Sequence, residues 1–150
     1  MDIKLVELQA KPVLSIRTRT NIEDMPKTIG EGYTKIAAYM QEIGEQPKEM
    51  PFVAYYNMDM QDMDIEIGFP VSKELPGKDD IQPSETMAGN AVMYVYKGAY
   101  SGMEPVYNEI FKWMDENGHQ PQGVFYEYYY NSPGEVPESE LLTRIVVPVK

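Results

Sequence analysis

Val124-Phe125-Tyr126-Glu127-Tyr128-Tyr129-Tyr130-Asn131 combines an aromatic strand pattern with one acidic residue, and its last three residues repeat an earlier Tyr55-Tyr56-Asn57. Aromatic and apolar side chains of this kind suit a pleated, half-buried surface, so the stretch reads as a β-strand. Glu127 stands among five aromatic residues. A carboxylate so placed is at an exposed edge, paired with a base, or held in an apolar pocket for something that needs a negative charge.

The match to Tyr55-Tyr56-Asn57 extends along the chain. At a constant offset of 74, Tyr33, Ile36, Met40, Glu42, Gly44 and Pro47 fall on Tyr107, Ile110, Met114, Glu116, Gly118 and Pro121. Ile67, Pro70 and Val71 fall on Ile145, Pro148 and Val149 once four extra residues are allowed around 132–140. Turn and cap residues are among the matches, and periodicity alone would not align those, so the pattern is an internal duplication. At the position of Glu127 the first copy has Val53.

Each copy reads as a βαββ unit. In the first, Ser15, Arg17 and Arg19 alternate with Leu14, Ile16 and Thr18, which predicts a strand over 13–20 with one wet face. Ile29, Tyr33, Ile36, Ala37, Met40 and Ile43 recur at helical spacing before Gly44 and predict a helix over 29–43. Strands at 52–56 and 65–69 follow, joined by the acidic, Met-rich stretch 58–64 and ended by Pro70. The polar stretch 76–89, with two Pro and two Gly, reads as a linker. In the second copy a strand over 91–96 and the turn Lys97-Gly98-Ala99-Tyr100 precede a helix from about 103. That helix has Pro105 in its first turn, Val106, Ile110, Trp113 and Met114 on its buried side, and a stop at Asn117-Gly118. The aromatic strand comes next, then a last strand over 142–147 ended by Pro148.

The expectation is therefore one α+β domain over 1–150 with an antiparallel sheet, two main helices and pseudo-twofold symmetry. Repeat one covers about 1–75, the linker about 76–89 and repeat two about 90–150, with a ligand groove where the repeats meet.

With 43% hydrophobic and 25% charged residues the composition is that of a soluble protein, and no window approaches the roughly 18 apolar residues of a membrane span. The start shows no secretory pattern, so a cytoplasmic location is expected, without membrane contact. The chain has no Cys, which removes thiolate nucleophiles and Cys-based zinc sites. Its 24 acidic and 13 basic residues give a net charge of −11, a potential that repels phosphates and attracts cations. Direct nucleic-acid binding is not expected, since the closest group of bases is Arg17 and Arg19. Neither a metal nor a cofactor is expected: His119 has no second His nearby, the run Asp59–Asp64 lacks the glycine and final Glu of a calcium loop, and Gly30-Glu31-Gly32 is too short to cradle phosphate.

Several stretches together resemble the GyrI-like small-molecule-binding domain, the effector-binding domain of AraC-type and MerR-type multidrug regulators, in a stand-alone form. They are Asp64-Ile65-Glu66-Ile67-Gly68-Phe69-Pro70-Val71, Ala88-Gly89-Asn90-Ala91-Val92, Lys97-Gly98-Ala99-Tyr100, Trp113-Met114-Asp115-Glu116-Asn117-Gly118 and Tyr126-Glu127-Tyr128-Tyr129. The resemblance implies that Glu127 is the acidic centre of an aromatic-lined pocket for hydrophobic, cationic, drug-like small molecules. It also implies an alternative, in which the same pocket hydrolyses the cyclopropane ring of DNA-alkylating natural products with Glu127 as the catalytic group. A third reading is a regulatory protein acting through a protein partner.

Candidate ligand-binding residues are Glu127, Trp113, Tyr94, Tyr96, Tyr126, Tyr128, Tyr129 and Glu66. A carboxylate among aromatic faces offers a cation both a Coulomb partner and ring quadrupoles. Trp113 reads equally as core or, by the resemblance, as a pocket wall. Strand alternation lets only one parity of each Tyr-rich strand face a groove, and both parities stay open at this point. Glu66 alternates with Ile65 and Ile67, which reads as solvated, or as a second acid in the groove. The alternative for Glu127 is a salt bridge to Arg144 on the adjoining strand.

Overall fold

The computed structural model describes residues 2–48, 50–57, 59–131 and 134–150. In chain order the elements are β1 (Lys4–Leu8), β2 (Pro12–Thr20), α1 (Met25–Glu42), β3 (Phe52–Tyr55), β4 (Met63–Pro70), β5 (Gln82–Glu85), β6 (Gly89–Lys97), α2 (Met103–Glu116), β7 (Phe125–Tyr129) and β8 (Leu142–Pro148). Short 3-10 turns lie at Tyr100–Gly102 and Glu138–Glu140.

Two compact units result, one of residues 9–87 and one of 1–8 with 88–150. In the 9–87 unit, β5, β2, β4 and β3 pair in that order, all antiparallel. Its helix α1 begins at Met25, four residues before the expected start, because Pro26 fits the first turn. Asn21 Oδ1 accepts from the Asp24 backbone N–H at 2.9 Å and closes the turn that leads into it. The core joins Ile36, Tyr39 and Met40 of α1 to Leu14 and Ile16 of β2, with Val71, Leu75 and Ile81 completing it. The face of the sheet that carries Leu14, Ile16 and Ile67 is thus the helix-covered face.

The other unit pairs β1, β6, β8 and β7 in that order, again antiparallel. Ile110 and Met114 are the most deeply buried residues of α2.

The duplication is visible in local geometry. Both helices end on a left-handed glycine, Gly44 at φ 74° and Gly118 at φ 75°. In both, the next backbone N–H reaches back to the last turn: Glu45 to the Met40 carbonyl and His119 to the Met114 carbonyl, each at 2.8 Å. The hairpins keep the same register, with Val53 opposite Ile67 in one copy and Glu127 opposite Ile145 in the other.

Two strands depart from the sequence reading. β5 falls inside 76–89, the stretch read as a linker, and β1 was not anticipated. Both have a strand neighbour on one side only within their units, and β5 has four residues with Pro83 among them, too short to alternate legibly. Of the expected 58–64 connection and the extra residues near 132–140, positions 58, 132 and 133 lie outside the described residues.

Candidate ligand-binding site

Glu127 projects from β7 onto the face covered by α2, and only 8% of it is exposed. Two phenols hold its carboxylate: the Tyr107 hydroxyl donates to Oε2 at 2.5 Å and the Tyr129 hydroxyl to Oε1 at 2.8 Å. Tyr129 is two residues along the same strand, hence on the same face. Tyr107 reaches down from α2.

Aromatic rings build outward from this centre. Tyr107 meets Phe125 edge-on at 6.4 Å, and Phe111 of α2 meets Phe125 at 5.6 Å. On the other side Tyr100 packs edge-on to Tyr129 at 5.8 Å and is 41% exposed, so the ring system extends from a buried carboxylate to the surface. Burial raises the Tyr100 phenol above the usual tyrosine range, and the Glu127 charge pushes it further the same way.

The first copy gives the contrast. Tyr33, the counterpart of Tyr107, donates to the Phe52 backbone carbonyl at 2.8 Å, because Val53 offers no acceptor. Phe111, Phe125 and Tyr100 correspond to Ala37, Pro51 and Pro26 at the same offset. The second copy therefore carries a carboxylate and three aromatic rings that the corresponding positions of the first copy lack, on a tyrosine frame common to both.

The remaining sequence-predicted residues are distributed by strand parity. Tyr94 is opposite Ile145, which is opposite Glu127, so it shares the helix-covered face. Tyr96 has the same parity but donates to the Ala99 carbonyl at 2.8 Å, which ties it to the turn before α2. Tyr126 and Tyr128 point to the opposite face, where they stack on each other at 6.2 Å. Arg144 lies on that face too, its guanidinium 4.9 Å from the Tyr128 ring and 5.8 Å from the Tyr130 ring. The alternative salt bridge between Glu127 and Arg144 is thus not formed, because their strand positions alternate. Trp113 sits near the end of α2 and stacks on His119 at 5.8 Å.

Glu66 is not solvated, as alternation suggested: it is 6% exposed, and β4 is buried or half-buried on both faces. Ser15 donates to its Oε2 at 2.6 Å and Tyr56 to its Oε1 at 2.7 Å. It belongs to the 9–87 unit, on the face turned away from α1.

Tyr107, Phe111, Phe125 and Tyr100 were absent from the sequence-derived candidates. For Tyr107 a signal existed, since it is one turn from Ile110 and Phe111 on a helix whose apolar side faces the strand. Among the described residues no group of His, Asp or Glu is placed to hold a metal ion, and no helix is long and apolar enough to cross a membrane.

The GyrI-like small molecule binding domain model matches residues 1–150. The chain also superposes on the EcmrR C-terminal domain with a TM-score of 0.84 at 22% identity, covering 99% of this chain and 97% of that one. In a DNA complex of EcmrR the match spans 57% of the regulator chain. SAV2435 bound to tetraphenylphosphonium gives a TM-score of 0.71 at 13% identity, covering 100% and 94%. A hydrolase from Listeria innocua gives 0.72 at 12% identity, covering 99% and 91%. No curated protein matches the sequence.

Proposed function

Because the chain belongs to the GyrI-like small molecule binding domain family, we propose that it captures hydrophobic cations at the aromatic cluster centred on Glu127. One observation carries this reading: a carboxylate 8% exposed is held by two phenols inside a set of rings that reaches the surface at Tyr100. At about 4 Å in a partly desolvated site, a unit charge gains on the order of 4 kcal/mol from a carboxylate before solvation costs, and each ring face adds about 0.5–2 kcal/mol. A lipophilic cation collects both terms and also buries apolar surface. The bound tetraphenylphosphonium of SAV2435 is a ligand of this class. A net charge of −11 suits such a role.

Calorimetric titration with tetraphenylphosphonium tests the proposal. Saturable binding is expected in the wild type, weakened tenfold or more, about 1.4 kcal/mol, in Glu127→Gln. Equal affinity in the two proteins would remove the counter-charge role.

The Tyr107 phenol beside the Glu127 carboxylate also favours a second, hydrolytic reading, because a buried carboxylate can orient a water and a phenol next to it can donate a proton. Water would add across a strained ring bond, its oxygen going to one carbon and a proton to the other, with Glu127 orienting the water. Incubation with a cyclopropane-bearing alkylator, followed by mass spectrometry, should then yield the water adduct; stoichiometric binding without product rejects catalysis for that substrate.

A further inference from the structure

On the sheet face turned away from α1, the 9–87 unit holds a second buried carboxylate beneath a cavity of about 410 Å³. Glu66 forms part of the lining, and both its hydrogen bonds come from neutral hydroxyls, those of Ser15 and Tyr56. Arg17, opposite Glu66 on the strand pair, interacts with its charge at a distance, but its hydrogen bonds go to Asp64, from Nε and Nη2 at 2.6 and 2.8 Å, and its guanidinium lies on the Tyr56 ring at 3.6 Å. Among the described residues Glu66 has no ion-pair partner within 4 Å. A carboxylate 6% exposed and not ion-paired is costly to keep, and an open space above it is where a compensating charge fits.

The other walls identify the occupant. Ser84 and Gln82 of the edge strand β5 bring a hydroxyl and an amide, and Asp80 adds a second carboxylate at the rim, itself 2.6 Å from Lys35. Of the charged residues that line the cavity, Glu66 and Asp80 are acidic and Arg17 is basic, a surplus of one negative charge. The lining combines hydroxyl, amide, carboxylate and guanidinium groups with Pro83 and a single aromatic ring, unlike the several rings around Glu127. We infer that this cavity is a second, separate binding site, for compact hydroxylated ammonium compounds, with Glu66 as counter-charge and Ser84 and Gln82 meeting the polar body. Its volume lies within the range of small-molecule sites. The two sites would divide ligands by polarity, lipophilic cations at Glu127 and hydrophilic ones at Glu66.

Glucosamine is the probe, with N-acetylglucosamine as its uncharged counterpart, each titrated while amide chemical shifts are followed by NMR. Glucosamine should give saturable shifts at Gln82 and Ser84, and N-acetylglucosamine should bind at least tenfold more weakly. Glu66→Gln should reduce glucosamine affinity at least tenfold. Ser84→Phe, a change at an exposed edge position that fills the cavity from its rim, should abolish it, and it decides the matter alone if the Glu66 variant does not fold. The inference is overturned by the absence of saturable shifts with glucosamine, by equal binding of N-acetylglucosamine, or by undiminished binding in Ser84→Phe.

Discussion

Tyr107 donates its hydroxyl to Glu127, whereas the pseudo-symmetric Tyr33 donates to a backbone carbonyl, that of Phe52. One frame serves two chemistries: in the first copy the phenol closes a neutral structural contact, and in the second it holds a buried charge. The asymmetry at one strand position, Val53 against Glu127, redirects the helix tyrosine above it.

This difference sets the cost of removing each hydroxyl. A hydrogen bond to a charged group contributes about 1.5–3 kcal/mol and one to a neutral carbonyl about 0.5–1.5 kcal/mol. Tyr107→Phe should therefore destabilise the fold more than Tyr33→Phe, by roughly 1 kcal/mol or more, since both keep their ring contacts. Urea denaturation of the two variants measures it. Equal losses would mean that the Glu127 carboxylate draws no more on its phenol than a carbonyl does.

Asp64 supplies a pH-dependent contribution. The hydrogen bond from Arg17, reinforced by its charge, holds the Asp64 carboxyl below its ordinary value of 3.8. A group whose pKa is depressed by folding contributes stability that is fully present above its unfolded pKa and is lost as pH falls through its folded value. Wild type should thus exceed Asp64→Asn in stability at pH 7, and the gap should start to narrow near pH 3.8 and close only as pH falls past the lower folded value. Arg17 is half exposed, so screening keeps the gap small and a higher salt concentration narrows it. Thermal melts of both proteins from pH 7 into the acid range below pH 3.8 test this; a gap that does not narrow as the pH falls would assign the Asn effect to packing.

The duplication could be read in the sequence because caps and turns obey local rules: Gly44 and Gly118 end their helices by backbone geometry that needs no tertiary knowledge. Glu127 stood out for a similar reason, as a charge in an otherwise aromatic strand. Its surroundings did not. Whether Tyr126 and Tyr128 or Phe125 and Tyr129 accompany it depends on which face the helix covers, and a strand with aromatics on both parities carries no trace of that choice. Tyr107 required the azimuth of α2 over β7, a tertiary fact. Glu66 was misread by the same route, since alternation marks a wet face only when the opposite side of the sheet is open to water. β5 escaped notice because its strand character comes from pairing with β2 rather than from its own residues.

A last prediction asks whether the tyrosine frame alone can hold a charge. Val53 is fully buried opposite Ile67, and Tyr33 and Tyr55 stand at the positions that correspond to Tyr107 and Tyr129. The first copy has Ala37, Pro51 and Pro26 in place of Phe111, Phe125 and Tyr100, so Val53→Glu would put a carboxylate into a site whose frame is present but whose added rings are not. Burial raises a carboxyl pKa above its unfolded value of about 4.3, so the ionised form penalises the folded state at neutral pH and the penalty fades as pH falls. The variant should lose on the order of 2–5 kcal/mol at pH 7, recover part of that at pH 5, and be less stable at pH 7 than Val53→Gln, whose difference from the wild type should not change with pH in that range. Urea melts of the two variants at both pH values measure the difference. If Val53→Glu matched Val53→Gln at pH 7, two phenols alone would suffice to hold the carboxylate, and the rings of the second copy would be there for something other than sheltering it.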